Sequence, residues 1–352
     1  MKVGLGSIHQ MKKIIFILLS LIIIFGFFYY SKNTFGKEVY VRAVKDFFVE
    51  KKTTPLLFTG DIMLGRNVEV LMKRDSSFSP FGATSELLKG HITISNLEGS
   101  IPKNHTPTPM NTFSFSFPDY SPQYLKDNGI QAVSLANNHS FDNGKYGYNE
   151  TRESLLKAGI SSFGAYDKTE SNFFKTNIGT IEVVVYGVNM ISSSWDEAKA
   201  YETTETLRKS NVGAILIAFI HWGNEYDLTQ GEVQRIFAHK LIDSGVNVIV
   251  GSHPHVVQGI EVYKNSPIFY SLGNFVFDQY FSKDVQRGYF LSIDKNGDNF
   301  VYRIIPIEST KSYVTIAGER VADEILNTIA KSSDINLQED IRNGEVRIKM
   351  FP

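Results

Sequence analysis

His253 and His255 stand one residue apart in VNVIVGSHPHVVQGIEVY, directly after the apolar run Val246 to Val250. Alternate residues of an extended chain point to opposite faces, so a turn is needed to aim both imidazoles at one point. Gly251, Ser252 and Pro254 supply that turn chemistry. Four other ligand-type residues hold comparable places: Asp61 in GDIMLGR (60–66), Glu98 in NLEGS (96–100), Asn138 in ANNHSFDNG (136–144) and His221 in IHWGNEY (220–226). Taken singly, each reads as well as a turn, a helix cap, a solvated acid or a core histidine. Taken together, all five segments close successive apolar runs. In open α/β sheets the carboxyl ends of strands form the crevice where ligands bind. Carboxylate, amide and imidazole suit hard-to-borderline cations, and a bridging carboxylate holds two of them about 3.5–4 Å apart. Such a pair activates water and neutralises the developing charge on a phosphoryl or acyl group.

The elements that must position these residues alternate. Strand-length apolar runs lie at 55–60, 92–97, 131–136, 180–188, 213–220, 246–250, 267–272, 288–294 and 300–307. Helical patterns fill the gaps at 67–73, 121–128, 148–158 and 231–244, and another follows at 321–333. Strands alternating with helices predict a layered α/β domain. The last strands follow one another without helices, and DKNGDN (294–299) carries an Asn-Gly hairpin signal. Mixed sheets are therefore expected. The Pro-rich NHTPTPMN (104–111) reads as an irregular loop.

Length and composition set the bounds. The chain has 352 residues, 42% of them hydrophobic, enough for one large domain or two medium ones. Lys plus Arg total 36 against 37 Asp plus Glu, which gives no electrostatic reason to expect nucleic acid. Cysteine is absent, so any metal must be held by oxygen and imidazole nitrogen; Mn, Fe, Zn or Mg fit that donor set. Lys12 and Lys13 precede an uncharged run from Ile14 to Tyr30, long enough to span a bilayer as a helix. Lys2, Lys12 and Lys13 favour a cytoplasmic N-terminus, and Tyr29, Tyr30 and Lys32 suit the far interface. A cleaved signal peptide is the alternative, though the apolar core is long and no small-x-small site follows it closely. The expected division is a cytoplasmic 1–13, a transmembrane anchor at 14–30, a linker at 31–52, an extracytoplasmic domain at 53–310 and a helical extension at 311–352.

The order Asp, acid, Asn-His, His, His-x-His resembles the calcineurin-like metallophosphoesterase superfamily. The longer motifs GDIMLGR, NLEGS, SLANNHSFDNG, HWGNEY, GSHPHVVQGIE and IFYSLGNFVFD are similar to the bacterial CapA-type poly-γ-glutamate capsule synthesis family, across about residues 55–310. The resemblance implies a metallophosphoesterase-like αββα sandwich of two mixed sheets. It also implies one or two divalent ions, Mn, Fe or Zn. Asp61 would ligate one ion and Glu98 would bridge; Asn138, His221 and His253 would complete the second site, and His255 would return to the first. His139 matches the superfamily's general acid, Asp142 is near enough to orient it, and Arg66 is an expected anion clamp. Glu225 and Asn274 would act beyond the ligands.

Two departures stand out. Met63 occupies the place of the histidine in the superfamily's Asp-x-His motif, and Glu98 that of its bridging Asp. A thioether is a poor ligand for hard cations, so the first ion would be the weaker. The implied role is biosynthesis, handling or export of poly-γ-glutamate or a similar anionic polymer. The implied partners are that polymer, the membrane and subunits of a membrane synthase. Two other function classes compete with this one. Metal-dependent turnover of a simple phosphodiester would mark a surface phosphoesterase. Normal polymer made by a metal-free variant would mark a non-catalytic synthase subunit.

Overall fold

A computed structural model describes residues 54–164 and 173–349. The expected anchor and linker lie outside the described residues, among which no helix is long and apolar enough to cross a membrane. The chain begins with parallel strands and helices: β1 (Leu56–Ile62), α1 (Arg66–Arg74), α2 (Ser85–Lys89), β2 (Ile92–Leu97), α3 (Ser121–Asp127), β3 (Ile130–Ser134), α4 (Gly144–Lys157) and β4 (Ser161–Phe163). It then builds a second sheet from β5 (Phe173–Ile178), β6 (Ile181–Asn189), α5 (Glu197–Ser210), β7 (Ile215–His221), α6 (Glu232–Asp243), β8 (Val248–Ser252), β9 (Ile260–Tyr263) and β10 (Ser266–Phe269). It returns to the first sheet with β11 (Asn274–Val276), β12 (Arg287–Asn296), β13 (Asn299–Thr310), β14 (Tyr313–Ile316), α7 (Glu319–Lys331), α8 (Gln338–Arg342) and β15 (Glu345–Lys349).

The first sheet has the order β14-β13-β12-β1-β2-β3-β4, with β11 on β1 and β15 on β13; the second runs β5-β6-β7-β8-β10-β9. Both are mixed. β1 to β4 are parallel, as are β6, β7, β8 and β10, whereas β12 pairs antiparallel with β1 and β13. The two sheets meet through aromatic contacts: Phe58 on β1 is edge-on to Phe219 on β7 at 5.6 Å, and Phe269 on β10 lies 5.5 Å from Tyr302 on β13. The other face of the second sheet packs Tyr186, Leu216, Ile220 and Tyr270 against Phe237 and Leu241 of α6.

Strands buried on both faces are continuous apolar runs, which is why β7 and β8 are legible in the sequence, whereas β2 alternates Ile with buried Thr93 and Ser95. The short or polar strands β4, β5, β9, β11, β14 and β15 carried no such run. Helix α5 escaped as well, because only Thr204 and Leu207 are buried along it. The hairpin falls one residue later than Asn-Gly suggests. Asn296 pairs with Asn299, so Gly297 and Asp298 make the turn, with Gly297 at φ +61°. Residues 311–349 supply α7 and α8 and also β14 and β15, both paired to β13.

Two glycines allow the close approaches that shape the site. A Cβ on Gly60 would lie 1.8 Å from the Gly273 carbonyl, and one on Gly251 would lie 2.0 Å from the Tyr270 carbonyl. Gly60 thereby lets β1 meet the chain entering β11, where Asp61 N donates to Gly273 O at 3.2 Å.

Candidate metal centre

Register brings the polar strand ends together. On β1, Asp61 is paired with Asn96 on β2 and with Asn274 on β11; on β7, His221 is paired with Ser252 on β8. Beyond β8, His253 and His255 both take positive φ, +96° and +58°, around Pro254. That backbone is strained for residues other than glycine, at about 1–3 kcal/mol each, and it turns both rings inward. The result is a buried cluster in which Asp61, Glu98 and His221 form one group with metal-ligand spacing and Glu225, His253 and His255 form another.

Hydrogen bonds fix most of these side chains. His221 Nδ1 lies 3.1 Å from Ser252 Oγ, and its Nε2 lies 2.8 Å from Asn138 Oδ1. His255 Nδ1 is 2.9 Å from Asn274 Oδ1, while Asn274 Nδ2 donates to Gln279 Oε1 (3.0 Å) and the Val285 carbonyl (2.9 Å). That amide orientation makes Oδ1 the acceptor and puts a proton on His255 Nδ1, leaving Nε2 as the atom open to a cation. His255 Nδ1 also sits 3.3 Å from Asp61 Oδ2, and Nε2 is 3.6 Å from Glu98 Oε1. Two buried atoms, Glu98 Oε1 and His253 Nδ1, have no hydrogen-bond partner. Native proteins rarely leave such atoms bare, so a cation fits the donor set.

Electrostatics follow from burial. Desolvation, reinforced by Asp61, raises Glu98 to about 7. Desolvation and the neighbouring His255 lower His253 to about 4, and desolvation and the other imidazoles hold His221 well below the usual histidine value. Burial also acts to lower His255, but the Glu98 and Asp61 carboxylates outweigh it and raise the ring to about 9. Without an ion, the imidazolium of His255 serves as the local cation between two carboxylates.

The expected residues therefore converge, with a different grouping. His255 lies between Asp61 and Glu98, with Nδ1 3.3 Å from Asp61 Oδ2 and Nε2 3.6 Å from Glu98 Oε1. His253 sits with Glu225 and His255, whereas His221 sits with Asp61 and Glu98. Glu225 joins the cluster from an exposed position. Met63 is fully buried, and its Sδ accepts from Gly65 N at 3.2 Å. His139 Nδ1 lies 2.8 Å from Asp142 Oδ2, which also accepts from Phe115 N at 2.6 Å, and His139 Nε2 lies 3.9 Å from Glu98 Oε1. The Phe115 ring stacks on His139 at 3.9 Å.

Arg66 enters α1 at φ +48° and pairs through Nε and Nη2 with the buried Asp278, while Nη1 donates to the Thr112 carbonyl at 3.1 Å. Its guanidinium lies 4.7 Å from the Phe115 ring centre. It thus ties the start of α1 to the chain after β11 and to the segment carrying Phe115. Among the described residues, three further histidines have other partners: His91 bonds the Leu87 carbonyl, His105 bonds Glu69 and Ser116, and His239 bonds Glu261.

Asn96 and Asp278 carried no expectation in the sequence, and Ser252 and Asn137 only a turn, yet all four hold the site together. Asn96 carried one usable signal: it stands two residues before Glu98 at the end of a strand, and i and i+2 share a face.

A model of the bacterial capsule synthesis protein family PGA_cap matches residues 55–279. The chain is 30% identical over 253 residues to the capsule biosynthesis protein CapA of Bacillus anthracis, covering 65% of this chain and 61% of that protein. It is also 30% identical over 240 residues to the PGA biosynthesis protein CapA of Bacillus subtilis, covering 63% of each. The chain thus spans less than two thirds of the length of either relative. Among solved structures, a hypothetical protein from Thermus thermophilus is similar at TM-score 0.44 and 12% identity, covering 74% of this chain and 96% of that one.

Proposed function

The chain belongs to the bacterial capsule synthesis protein family PGA_cap, and from that premise we propose that it is a membrane-anchored, extracytoplasmic, metal-binding protein that handles poly-γ-glutamate or a similar anionic polymer during capsule biosynthesis. The observation that carries the metal reading is the pair of buried, partnerless atoms Glu98 Oε1 and His253 Nδ1 among two buried carboxylates and three buried imidazoles. Asp61, Glu98, Asn138, His221, Glu225, His253 and His255 supply the donors from which the ligands of a divalent cation are drawn, with Mn, Fe or Zn suited to oxygen and imidazole donors. When bound, such an ion supplies Lewis acidity toward a carboxylate, amide or phosphoryl oxygen.

The chain's own residues define the rest. Asp142 holds His139 by Nδ1, so Nε2 faces the cluster and can carry a proton to or from a bound group. Phe115 covers that ring and restricts its rotation. Glu225 marks the exposed side of the cluster, the side from which a chain too long to be enclosed would approach. The long apolar run at 14–30 supports anchoring, and synthase subunits in the same membrane are the proposed partners.

The His139–Asp142 pair favours a second reading, hydrolysis or transfer at a phosphate or amide. Both readings are tested in a capsule-forming host whose own copy has been replaced by the wild type, His253→Ala or His139→Ala. The polymer-handling reading expects His253→Ala to abolish surface polymer, with no turnover of bis-(4-nitrophenyl) phosphate by the purified wild type. Wild-type polymer from His253→Ala would overturn it. Metal-dependent phosphodiester turnover lost in both variants would establish the second reading instead.

A further inference from the structure

The two halves of the cluster are satisfied differently. In the half made by Asp61, Glu98 and His221, the side-chain amide of Asn96 stands among all three: Nδ2 is 2.8 Å from Asp61 Oδ1, 3.4 Å from Glu98 Oε2 and 3.4 Å from His221 Nδ1. Its orientation is set from behind. Asn137 Nδ2 donates to Asn96 Oδ1 at 3.0 Å and to the Leu97 carbonyl at 2.8 Å. Asn137 Oδ1 in turn accepts from His139 N at 3.1 Å. A flipped Asn137 would face that N–H with its NH2 group, so the orientation of both amides follows. Asn96 therefore presents NH2, the positive end of its dipole, to two carboxylates and a ring nitrogen. With His221 Nδ1 accepting there, its Nε2–H donates to Asn138 Oδ1. This half is complete without an ion.

The other half is not. The partnerless His253 Nδ1 belongs to it, together with His255 and the Glu225 carboxylate, and the partnerless Glu98 Oε1 reaches toward it from the first half, 3.6 Å from His255 Nε2. Ligands on one cation with bonds of about 2.0–2.2 Å lie about 3–4 Å apart. His253 is 5% exposed, so the bare nitrogen faces the protein interior and not water.

We propose that this chain holds one divalent cation and not two: Glu98, Glu225, His253 and His255 bind it, and the Asn96 amide takes the place of a second ion between Asp61, Glu98 and His221. The proposal rests on the metal reading above and adds its number and position. It makes Glu225, exposed and outside the expected ligand set, a ligand. It also leaves the single ion on the open side, where an anionic carboxylate of a polymer can complete its coordination.

The test is metal stoichiometry of the full-length protein in detergent, stripped with chelator, reloaded with Mn or Zn, desalted and analysed for metal content. The wild type should retain one ion per chain. Asn96→Asp replaces the NH2 dipole by a third carboxylate, so it should retain two and depend on metal for its melting temperature. Glu225→Gln, at an exposed position that leaves the core intact, should weaken the single ion by about tenfold or more in a calorimetric titration. Two ions in the wild type, an Asn96→Asp protein that folds and still retains one, or unchanged affinity in Glu225→Gln would each overturn the proposal. If Asn96→Asp does not fold, the wild-type count and Glu225→Gln decide. No retained metal in any form would overturn the underlying metal reading as well, whereas two ions would leave that reading standing.

Discussion

Replacing the Arg66–Asp278 pair separates a structural tie from an anion clamp. Both side chains are buried, at 9% and 1% exposure, and the carboxylate also accepts from Asn67 N at 3.1 Å. Removing one partner of such a pair leaves an uncompensated buried charge, at about 3–5 kcal/mol. Arg66→Met should fall at the lower end, because Asp278 keeps the Asn67 N–H, and a hydrogen bond to a charged group contributes about 1.5–3 kcal/mol. Asp278→Leu should fall at the upper end, since the guanidinium then retains the Thr112 carbonyl and the Phe115 and Phe277 faces but no counter-charge. The double variant Arg66→Met/Asp278→Leu places two apolar side chains where two charges were, a change that is often near neutral. Both versions of position 66 carry a side chain at φ +48°, so backbone strain cancels from the comparison. With single losses of about 3 and 5 kcal/mol and a near-neutral double variant, a coupling energy of about 8 kcal/mol is expected, measured by urea unfolding with each variant's own slope. At a slope of about 3 kcal/mol/M, the single variants would lose about 1–1.7 M in midpoint. Single losses that add to within about 0.5 kcal/mol would refute the buried-pair argument. The double variant also decides function: retained polymer binding identifies Arg66 as a positioning residue, and lost binding identifies it as a group that meets the anion.

Gly60→Ala should destabilise by several kcal/mol and lower the melting temperature sharply, because its Cβ falls 1.8 Å from a backbone carbonyl that side-chain motion cannot relieve; a folded variant with wild-type melting would refute the close approach. In chelator, the protein should lose stability between pH 6.5 and 9. Glu98, held at about 7, and His255, held at about 9, lie above their ordinary 4.5 and 6.5, so their contributions are present at low pH and lost as pH rises through those values. His253, held at about 4, has the opposite sign: its contribution is present above 6.5 and lost as pH falls through 4. A cation displaces the protons on Glu98 and His255, so the rise in melting temperature on adding Mn should be larger at pH 8 than at pH 6; an increment independent of pH would contradict the assignment. Protease added to intact cells or protoplasts should remove the domain if the 14–30 run anchors it facing outward, and protection until lysis would reverse that topology.

The residue types and their order already carried the donor chemistry: no cysteine, acids and amides after early apolar runs, histidines after later ones. Runs such as ILIAFIH and VIVGS show their strands because parallel strands covered on both faces must be apolar throughout. That pattern also placed Asp61, Glu98, Asn138, His221, His253 and His255 near one another, since strand carboxyl ends share a side of the sheet. Local sequence says nothing about which sheet a strand joins. The return of the chain from β10 to β11, which pairs Asn274 with Asp61 and points its amide at His255, is a long-range event that no window of residues contains. The same holds for Asp278, whose partner is 212 positions away, and for Glu225, exposed yet grouped with His253 and His255. Whether Asn96 bonds to Asp61 or points to solvent depends on Asn137 behind it, and so on the register of β2 against β3. Periodicity and composition determined which donors stand at the strand ends; only the packing of two sheets decided which donor atoms face each other and which are left without a partner.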